Sequence, residues 1–504
     1  MQKSVLSYLE DSVLKYPNKE VYFNEKDTVT YKELQNKSKQ IASYLISLNI
    51  TKKPLVIFLP KSIEALASFH GVTYSNNFYV PVDVTQPINR INNIFKVLEP
   101  AYVITNSRYM KNVEEIFPKE KILLYQDIEN TSINEEELSK VRHKQISTDP
   151  VYVLFTSGST GIPKGVCVSH QSIIDYTDWV QETFHFTSDD VLASQAPLFF
   201  DNSVLDIYSV LKNGASLFLT PDKYFGFPSG MMDVLAKYKV TTVFWVPSAL
   251  IILGNSGILE EKHNPYFKRI MFCGEVMPSK HLNLWKKHYP NALFANLYGP
   301  TEITVDCLYY IVDREFDDDE IIPIGNICDN SDVFILNDNN QLITKPNELG
   351  EVYVRGISLS HGYYNDRERT DEAFVQNPLH NHYREMVYKT GDLAYYNERG
   401  EIIYSCRKDF QIKLNGYRIE LGEIEVAVSS LDYIDQACVI FDNEIILVYT
   451  AKEELEEEKI KRDLIKLVPK YEIPSIIVKI DKMFRTASGK IDRNATKRYV
   501  RGEQ

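Results

Sequence analysis

Residues 156–165 read "TSGSTGIPKG". Ten positions hold three glycines, three hydroxyl side chains beyond the opening threonine's own, one proline and one lysine. Gly158, Gly161 and Gly165 let backbone amides approach a ligand with no Cβ in the way. Thr156, Ser157, Ser159 and Thr160 add hydroxyl donors and Lys164 a cation, which together suit an anion. A Walker A loop is excluded, because Lys164 is followed by glycine. A G-x-S-x-G elbow and a Rossmann G-x-G-x-x-G are absent here too. Composition alone leaves an ordinary flexible turn open, so the surroundings must decide.

The loop follows "VYVLFT" (151–156), one of a series of short apolar runs. "PLVIFLP" (54–60), "FYVPVD" (78–83) and "AYVITN" (101–106) are others, and residues 62–74 between the first two have a helical pattern. Strands alternating with helices predict an α/β fold with parallel sheets and crossover helices. Thr30 and Glu33 have capping-box spacing ahead of the apolar face of "IASYLISL". Towards the C-terminus the texture changes. "NELGEVYVRG" (347–356) and "GEIIYSC" (400–406) predict strands with turn glycines, hence a β-rich subdomain. Beyond residues 406–410 a small α+β segment follows, in which "EELEEEKIKRDLIKLV" (453–468) predicts an amphipathic helix with Leu464, Ile465 and Val468 inward. Its acidic run suits a solvated face.

At 504 residues the chain is too long for one compact core; about two to four domains or subdomains are expected. Hydrophobic residues make up 44% and charged residues 25%, as in a folded soluble protein. A net charge of −13 argues against a generally basic nucleic-acid binder. The first twenty residues lack a signal peptide's apolar centre, and no apolar run is long enough to span a bilayer, so a cytoplasmic protein is expected. Cys167, Cys273, Cys307, Cys328, Cys406 and Cys438 lie far apart with no zinc-like spacing, and are expected to be buried free thiols.

Other stretches carry chemistry. In "NLYGPTE" (296–302) Tyr298 offers an aromatic face and Glu302 a hard oxygen ligand suited to Mg²⁺. In "YKTGDL" (388–393) Asp392 follows a glycine at an expected strand end, where a carboxylate can accept two hydroxyl protons. Arg407 adds a planar cation, and Lys490 follows Gly489 in "GKIDR" (489–493). Singly these residues also fit a packed tyrosine, a surface carboxylate, a turn cap and a solvated lysine.

The whole ordered set closely resembles the adenylate-forming superfamily of acyl-CoA synthetases, luciferases and amino-acid adenylation domains. The likeness covers nearly the whole chain. "TSGSTGIPKG" resembles its signature loop, "NLYGPTE" its adenine and magnesium motif, "YKTGDL" its ribose motif, "RKDFQIKLNGYRIELGEIE" (407–425) its hinge region and "GKIDR" its C-terminal lysine motif. The resemblance implies an N-terminal core over residues 1–406 that binds ATP and the acid, and a mobile C-terminal domain over 407–504. It implies a two-step reaction: carboxylate attack on the α-phosphorus of ATP, then thiol attack on the acyl-AMP. Thr156 to Gly161 would hold the β- and γ-phosphates with Lys164. Asn296, Leu297, Tyr298, Gly299, Pro300 and Thr301, with Asp392 and Arg407, would hold the nucleotide. Glu302 would ligate Mg²⁺, Lys490 would bridge substrate carboxylate and α-phosphate, Asp409 would be the hinge and Gly416 would face the thiol tunnel.

"LFFDNSVLDIY" (198–208) resembles the F-D-x-S segment of amino-acid adenylation domains, in which Asp201 would pair with an α-ammonium. A desolvated ammonium needs a charged acceptor. The alternative for Asp201 is a turn or N-cap. The family's amino-acid pocket maps onto Asn202, Leu205, Phe244, Met271, Cys273, Leu297, Val305 and Asp306, with Lys490 and Asp201. Most are apolar, which fits a compact side chain. "FCGEVMP" (272–278) and the hinge resemble D-alanine–carrier protein ligases, and Leu205, Phe244 and Leu297 resemble proline-activating enzymes. Asp306 either favours a polar or basic side chain or bonds a neighbour. No carrier domain is recognisable, so a phosphopantetheine thiol on a separate carrier protein is expected, with "KIKR" (459–462) and "KRYVR" (497–501) as basic candidates for docking it. Cys406 in place of a glycine, and Ala487 and Ser488 in place of proline and asparagine, depart from the family pattern. An acyl-CoA ligase and a non-catalytic nucleotide-binding protein are the alternatives to an amino acid–carrier protein ligase.

Overall fold

The spacing of Thr30 and Glu33 closes as a reciprocal cap. In the computed structural model, which describes residues 2–158, 162–485 and 491–503, the Glu33 amide donates to the Thr30 hydroxyl and the Thr30 amide to the Glu33 carboxylate. Two N–H groups at the start of helix Tyr31–Ser47 are thereby satisfied. Its Leu34, Ile41 and Leu45 face the core.

The described chain forms two compact units. One comprises Met1–Val84, Glu99–Leu154 and Val166–Lys408; the other comprises Thr85–Leu98, Phe155–Gly165 and Asp409–Gln504. In the first, strands Glu20–Phe23, Ser216–Leu219, Val191–Ser194, Thr242–Trp245, Arg269–Cys273 and Leu293–Tyr298 run parallel in that spatial order. Leu308–Ile311 adds an antiparallel strand, and Asn326–Ile327 pairs beyond it at the edge. Side chains alternate between the faces of this sheet, as the pleat requires. Phe244, Met271, Cys273, Ala295 and Leu297 join one hydrophobic cluster, while Val243, Trp245, Ile270, Phe272 and Phe294 join another. A second parallel sheet holds Tyr102–Thr105, Pro54–Ile57 and Phe78–Pro81. The β-rich part is antiparallel: Ser331–Leu336, Gly350–Gly356, Met386–Tyr396 and Ile402–Arg407 are successive neighbours.

The second unit has a hairpin, Gln411–Leu414 with Tyr417–Glu420, joined by Asn415 and Gly416. Both turn residues have positive φ, 52° and 81°. That is the conformation a two-residue hairpin loop demands and an Asn-Gly pair accepts. Strands Gln436–Asp442, Glu444–Thr450 and Ile476–Lys479 form a three-stranded sheet, packed with helix Leu421–Ser429 around Ile424, Val439 and Leu447.

Three expectations need correction. The amphipathic helix is shorter, Glu457–Leu464, and Ile465 lies outward, 46% exposed. Ile460, Leu464 and Val468, four residues apart, make the buried stripe, whereas Ile465 is rotated off that face at the end of the helix. Cys406 is exposed, unlike the other five cysteines. Asp392 sits inside strand Met386–Tyr396, beside a bulge at Leu393 and Ala394, not at a strand end. No helix among the described residues is long and apolar enough to cross a membrane.

Candidate active site

Strand register gathers most of the amino-acid pocket predicted from sequence. Phe244 pairs with Met271, Met271 with Ala295, and Cys273 with Leu297 on adjacent strands, so their side chains share a face. All are buried, as is Leu205 on helix Asn202–Asn213. Asn202 and Asp201 at the start of that helix are half-buried. Asp201 occupies the N-cap position, yet it makes no side-chain capping bond. Capping therefore does not explain this carboxylate.

Val305 and Asp306 come from a tight bend after Tyr298. A Cβ on Gly299 would lie 2.2 Å from the Val305 carbonyl oxygen, so only glycine permits the approach. Thr304 and Val305 have positive φ, 61° and 77°, a strained conformation for β-branched residues. The bend delivers Asp306 to the interior, 1% exposed. There it bonds its neighbours: Tyr176 donates its hydroxyl to Oδ2 at 2.7 Å, and Cys273 its thiol to Oδ1 at 3.0 Å. Burial, then the Asp306 charge, pushes the Tyr176 hydroxyl well above its ordinary range, so it remains a donor. Tyr176 is a residue the sequence reading missed.

A second cluster is built on strand pairing. Asp392 lies opposite Arg407 in the register of two antiparallel strands. Arg407 Nη1 donates to Asp392 Oδ1 at 3.2 Å and to the Thr390 carbonyl at 2.6 Å. Tyr298 donates its hydroxyl to Asp392 Oδ2 at 2.5 Å. Burial, with the Asp392 charge second, raises the Tyr298 pKa far above its usual value and keeps that proton in place. Gly391, at φ 73°, carries no Cβ where Arg407 Nη2 passes 2.9 Å away. Thus the aromatic ring of one predicted motif and the carboxylate and guanidinium of two others form one hydrogen-bonded group.

Glu302 lies in a single helical turn, Thr301–Ile303, and is fully buried. Tyr363 donates to its Oε1 at 2.8 Å. Pro300 and Thr301 are buried beside it. Asn296 directs its side-chain amide to the Pro323 carbonyl at 2.9 Å, a structural bond within the sheet edge.

In the other unit, Thr156 ends strand Pro150–Thr156 and Lys164 begins strand Lys164–Ser169. The Thr156 hydroxyl is buried with no hydrogen-bond partner among the described residues. Ser157 donates to the Arg418 carbonyl at 2.7 Å. Asp409 accepts the Gln411 amide at 3.1 Å, capping the start of the hairpin whose turn is Gly416. Ser159, Thr160, Gly161 and Lys490, with Ala487 and Ser488, lie outside the described residues. The basic stretches expected to dock a carrier are engaged locally: Lys461 pairs with Glu457, and Lys497 and Arg501 both pair with Asp442.

The AMP-binding enzyme family matches residues 9–364. The chain belongs to that family. Zwittermicin A synthase ZmaJ of Bacillus cereus is 31% identical over 98% of this chain and 94% of its own. The D-alanine–D-alanyl carrier protein ligase of Bacillus licheniformis is 30% identical over 98% and 99%. The Vibrio cholerae adenylation domain AlmE, solved with glycyl-adenosine-5'-phosphate, superposes with a TM-score of 0.86 at 19% identity, over 100% of this chain and 98% of its own, which establishes the shared fold.

As an AMP-binding enzyme the chain is an AMP-forming ligase, and such enzymes work with ATP and Mg²⁺. The donor set here suits that ion. Among the described residues no group of three or more His, Cys, Asp or Glu side chains could hold a metal alone. Mg²⁺ bound with a nucleotide needs only one or two carboxylates, because phosphates and water complete its octahedron. Glu302, oriented by Tyr363, is a carboxylate of that kind.

Proposed function

We propose that this AMP-forming ligase activates a compact amino acid and transfers it to the phosphopantetheine thiol of a carrier protein. Asp201 accepts the α-ammonium. The face made by Leu205, Phe244, Met271, Cys273, Leu297 and Val305 receives the side chain, with Asn202 at its rim. D-alanine and L-proline fit such a surface best. Asp306 is held by Tyr176 and Cys273, which satisfies its charge without a substrate cation.

Tyr298 presents its ring to adenine, and Asp392, fixed by Tyr298 and Arg407, accepts the ribose hydroxyls. Glu302 contributes one oxygen to Mg²⁺, which supplies charge neutralisation at the phosphates. Lys490 bridges the substrate carboxylate and the α-phosphate, and residues 156–161 with Lys164 hold the phosphates that leave. A substrate carboxylate oxygen bonds to the α-phosphorus, and its bond to the β-phosphate bridging oxygen breaks. The carrier thiolate then bonds to the acyl carbon and AMP leaves. Positioning and fixed charge carry both steps. Residues 1–406 supply the binding core. Residues 407–504, hinged at Asp409, bring Lys490 to the first step and Gly416 to the second.

The observation that carries this proposal is Asp201: a half-buried carboxylate at the head of the helix that also carries buried Leu205. An acyl-CoA ligase of an unaminated acid has no ammonium to match it. The test is pyrophosphate–ATP exchange across twenty L-amino acids and D-alanine, with fatty acids as controls. Exchange dependent on one compact amino acid is expected. Exchange with fatty acids only, or with nothing, refutes the proposal.

A further inference from the structure

The turn that carries Glu302 is laced to one later segment. The Thr304 hydroxyl donates to the Ser358 carbonyl at 2.8 Å, the Ser360 amide to the Glu302 backbone carbonyl at 2.9 Å, and the Tyr363 hydroxyl to Glu302 Oε1 at 2.8 Å. That segment has anchors of its own. Tyr363 pairs with Val166 on strand Lys164–Ser169, where the Cys167 carbonyl accepts the His361 amide at 2.8 Å and the Cys167 amide donates to the Gly362 carbonyl at 3.0 Å. Ser172 donates its hydroxyl to the Leu359 carbonyl at 3.2 Å. Tyr363 is fixed at both ends: its amide donates to the Thr370 hydroxyl at 2.9 Å, and its ring meets Phe374 edge-on with centroids 6.0 Å apart. All of these residues belong to one compact unit.

A glutamate side chain has three rotatable bonds, and ordering it on binding costs free energy. Mg²⁺ demands near-ideal octahedral geometry, so a misdirected carboxylate is a poor ligand for it. Here the Ser360 amide pins the backbone of Glu302 and the Tyr363 phenol pins its carboxylate, so the ordering is already complete. We propose that Tyr363, by holding Glu302 Oε1, sets the affinity of the site for the Mg²⁺ bound with the nucleotide. This rests on the reading of Glu302 as a Mg²⁺ ligand. Tyr363 is a positioning residue, since its effect runs through Glu302. Donors that orient a metal's ligands carry about 10–100-fold in metal affinity.

The test reads binding rather than turnover. A non-hydrolysable ATP analogue is titrated calorimetrically into the full chain at stepped Mg²⁺ concentrations, and again in excess chelator. Tyr363→Phe keeps the ring on Phe374 and removes only the donor. It should need about 10–100-fold more Mg²⁺ for half of the metal-dependent tightening, with metal-free binding unchanged. Glu302→Gln should raise the same requirement at least as far, and Tyr363→Phe added to it should raise it no further, because both act through one carboxylate. A merely structural role would weaken metal-free binding too, or add to Glu302→Gln. Thr370→Val, which removes the hydroxyl that accepts the Tyr363 amide, should shift the requirement the same way by a smaller factor, and it decides the question if Tyr363→Phe does not fold. A folded Tyr363→Phe with the wild-type Mg²⁺ requirement overturns the proposal. If Glu302→Gln also keeps that requirement, the reading of Glu302 falls with it; if Glu302→Gln alone raises it, that reading stands.

Discussion

Two clusters in this chain set an arginine against carboxylates, and they are built to opposite ends. Around Asp392 the count is matched. One carboxylate meets one guanidinium and one phenol, each oxygen has its donor, and Arg407 has a backbone carbonyl besides. Around Arg90 acids are in excess. Glu423 and Glu472 face one guanidinium with Glu420 close by, and Arg90 Nε, Glu423 Oε2 and both oxygens of Glu472 are buried without hydrogen-bond partners among the described residues. A matched network rigidifies, whereas a part-satisfied one is costly and open to rearrangement. The first is the platform proposed above for the nucleotide; the second is the less firmly determined of the two.

The sharpest way to break that contrast is to remove the centre of the platform. Asp392→Ala leaves the Arg407 guanidinium, largely buried, without its counter-charge. Loss of one partner from such a pair costs about 3–5 kcal/mol. A clear drop in Tm is expected by calorimetry, together with loss of nucleotide binding. Glu423→Gln, which relieves an excess of acid, should lower Tm far less. Comparable losses in the two variants would erase the distinction between the matched and the acid-rich cluster.

Next in size is the charge brought to the reacting atoms. Lys490→Ala should lower amino-acid-dependent exchange by ~10²–10³, as other transition-state charge donors do when removed. Transfer from supplied aminoacyl-AMP should change much less. Equal loss of both half-reactions would show that one arrangement of the C-terminal segment serves both. Smaller again is Asp201→Ala. Hydrogen bonds to charged groups contribute about 1.5–3 kcal/mol, or roughly 10–150-fold. That loss should fall on KM for the amino acid and leave KM for ATP near its original value. An unchanged amino-acid KM would remove Asp201 from the pocket.

What the sequence disclosed of these regions follows the range of the forces involved. Strands Pro54–Ile57, Phe78–Pro81 and Tyr102–Thr105 were legible because their apolar runs are local. So was the Thr30–Glu33 cap, whose chemistry lies within four residues. Ile465 was misjudged because periodicity does not say where a helix stops. Asp392 was misplaced because a bulge kept its strand going past the glycine. Tyr176 stayed hidden because its partner, Asp306, is 130 residues away, and Arg90 because Glu423 is 333 residues away. Charge pairing at such distances leaves no local pattern, so the motifs disclosed the chemistry and the fold disclosed what holds it.

The finest test of the contrast is pH. Burial first, then the charge of Glu423, pushes the Glu472 carboxyl up to about 8, against a smaller pull from Arg90. Glu423 is itself raised, by burial, with Arg90 opposing. Glu420 also raises Glu472, and Glu472 in turn helps raise the hydroxyl of Tyr471, which stacks on Tyr417. A carboxyl whose folded pKa lies above its unfolded one binds more protons when folded. Its stabilising contribution is full below the ordinary carboxylate pKa and is lost as pH rises through about 8. The slope cannot exceed about 1.4 kcal/mol per pH unit for one proton. Glu472→Gln holds the neutral form at every pH, so it should remove most of that dependence. Between pH 6 and 9 the wild-type Tm should fall more than that of Glu472→Gln, with the two converging at the acid end. Parallel curves would mean that Glu472 binds its proton no more tightly in the folded chain than in the unfolded one, and that the acid-rich cluster is as settled as the platform.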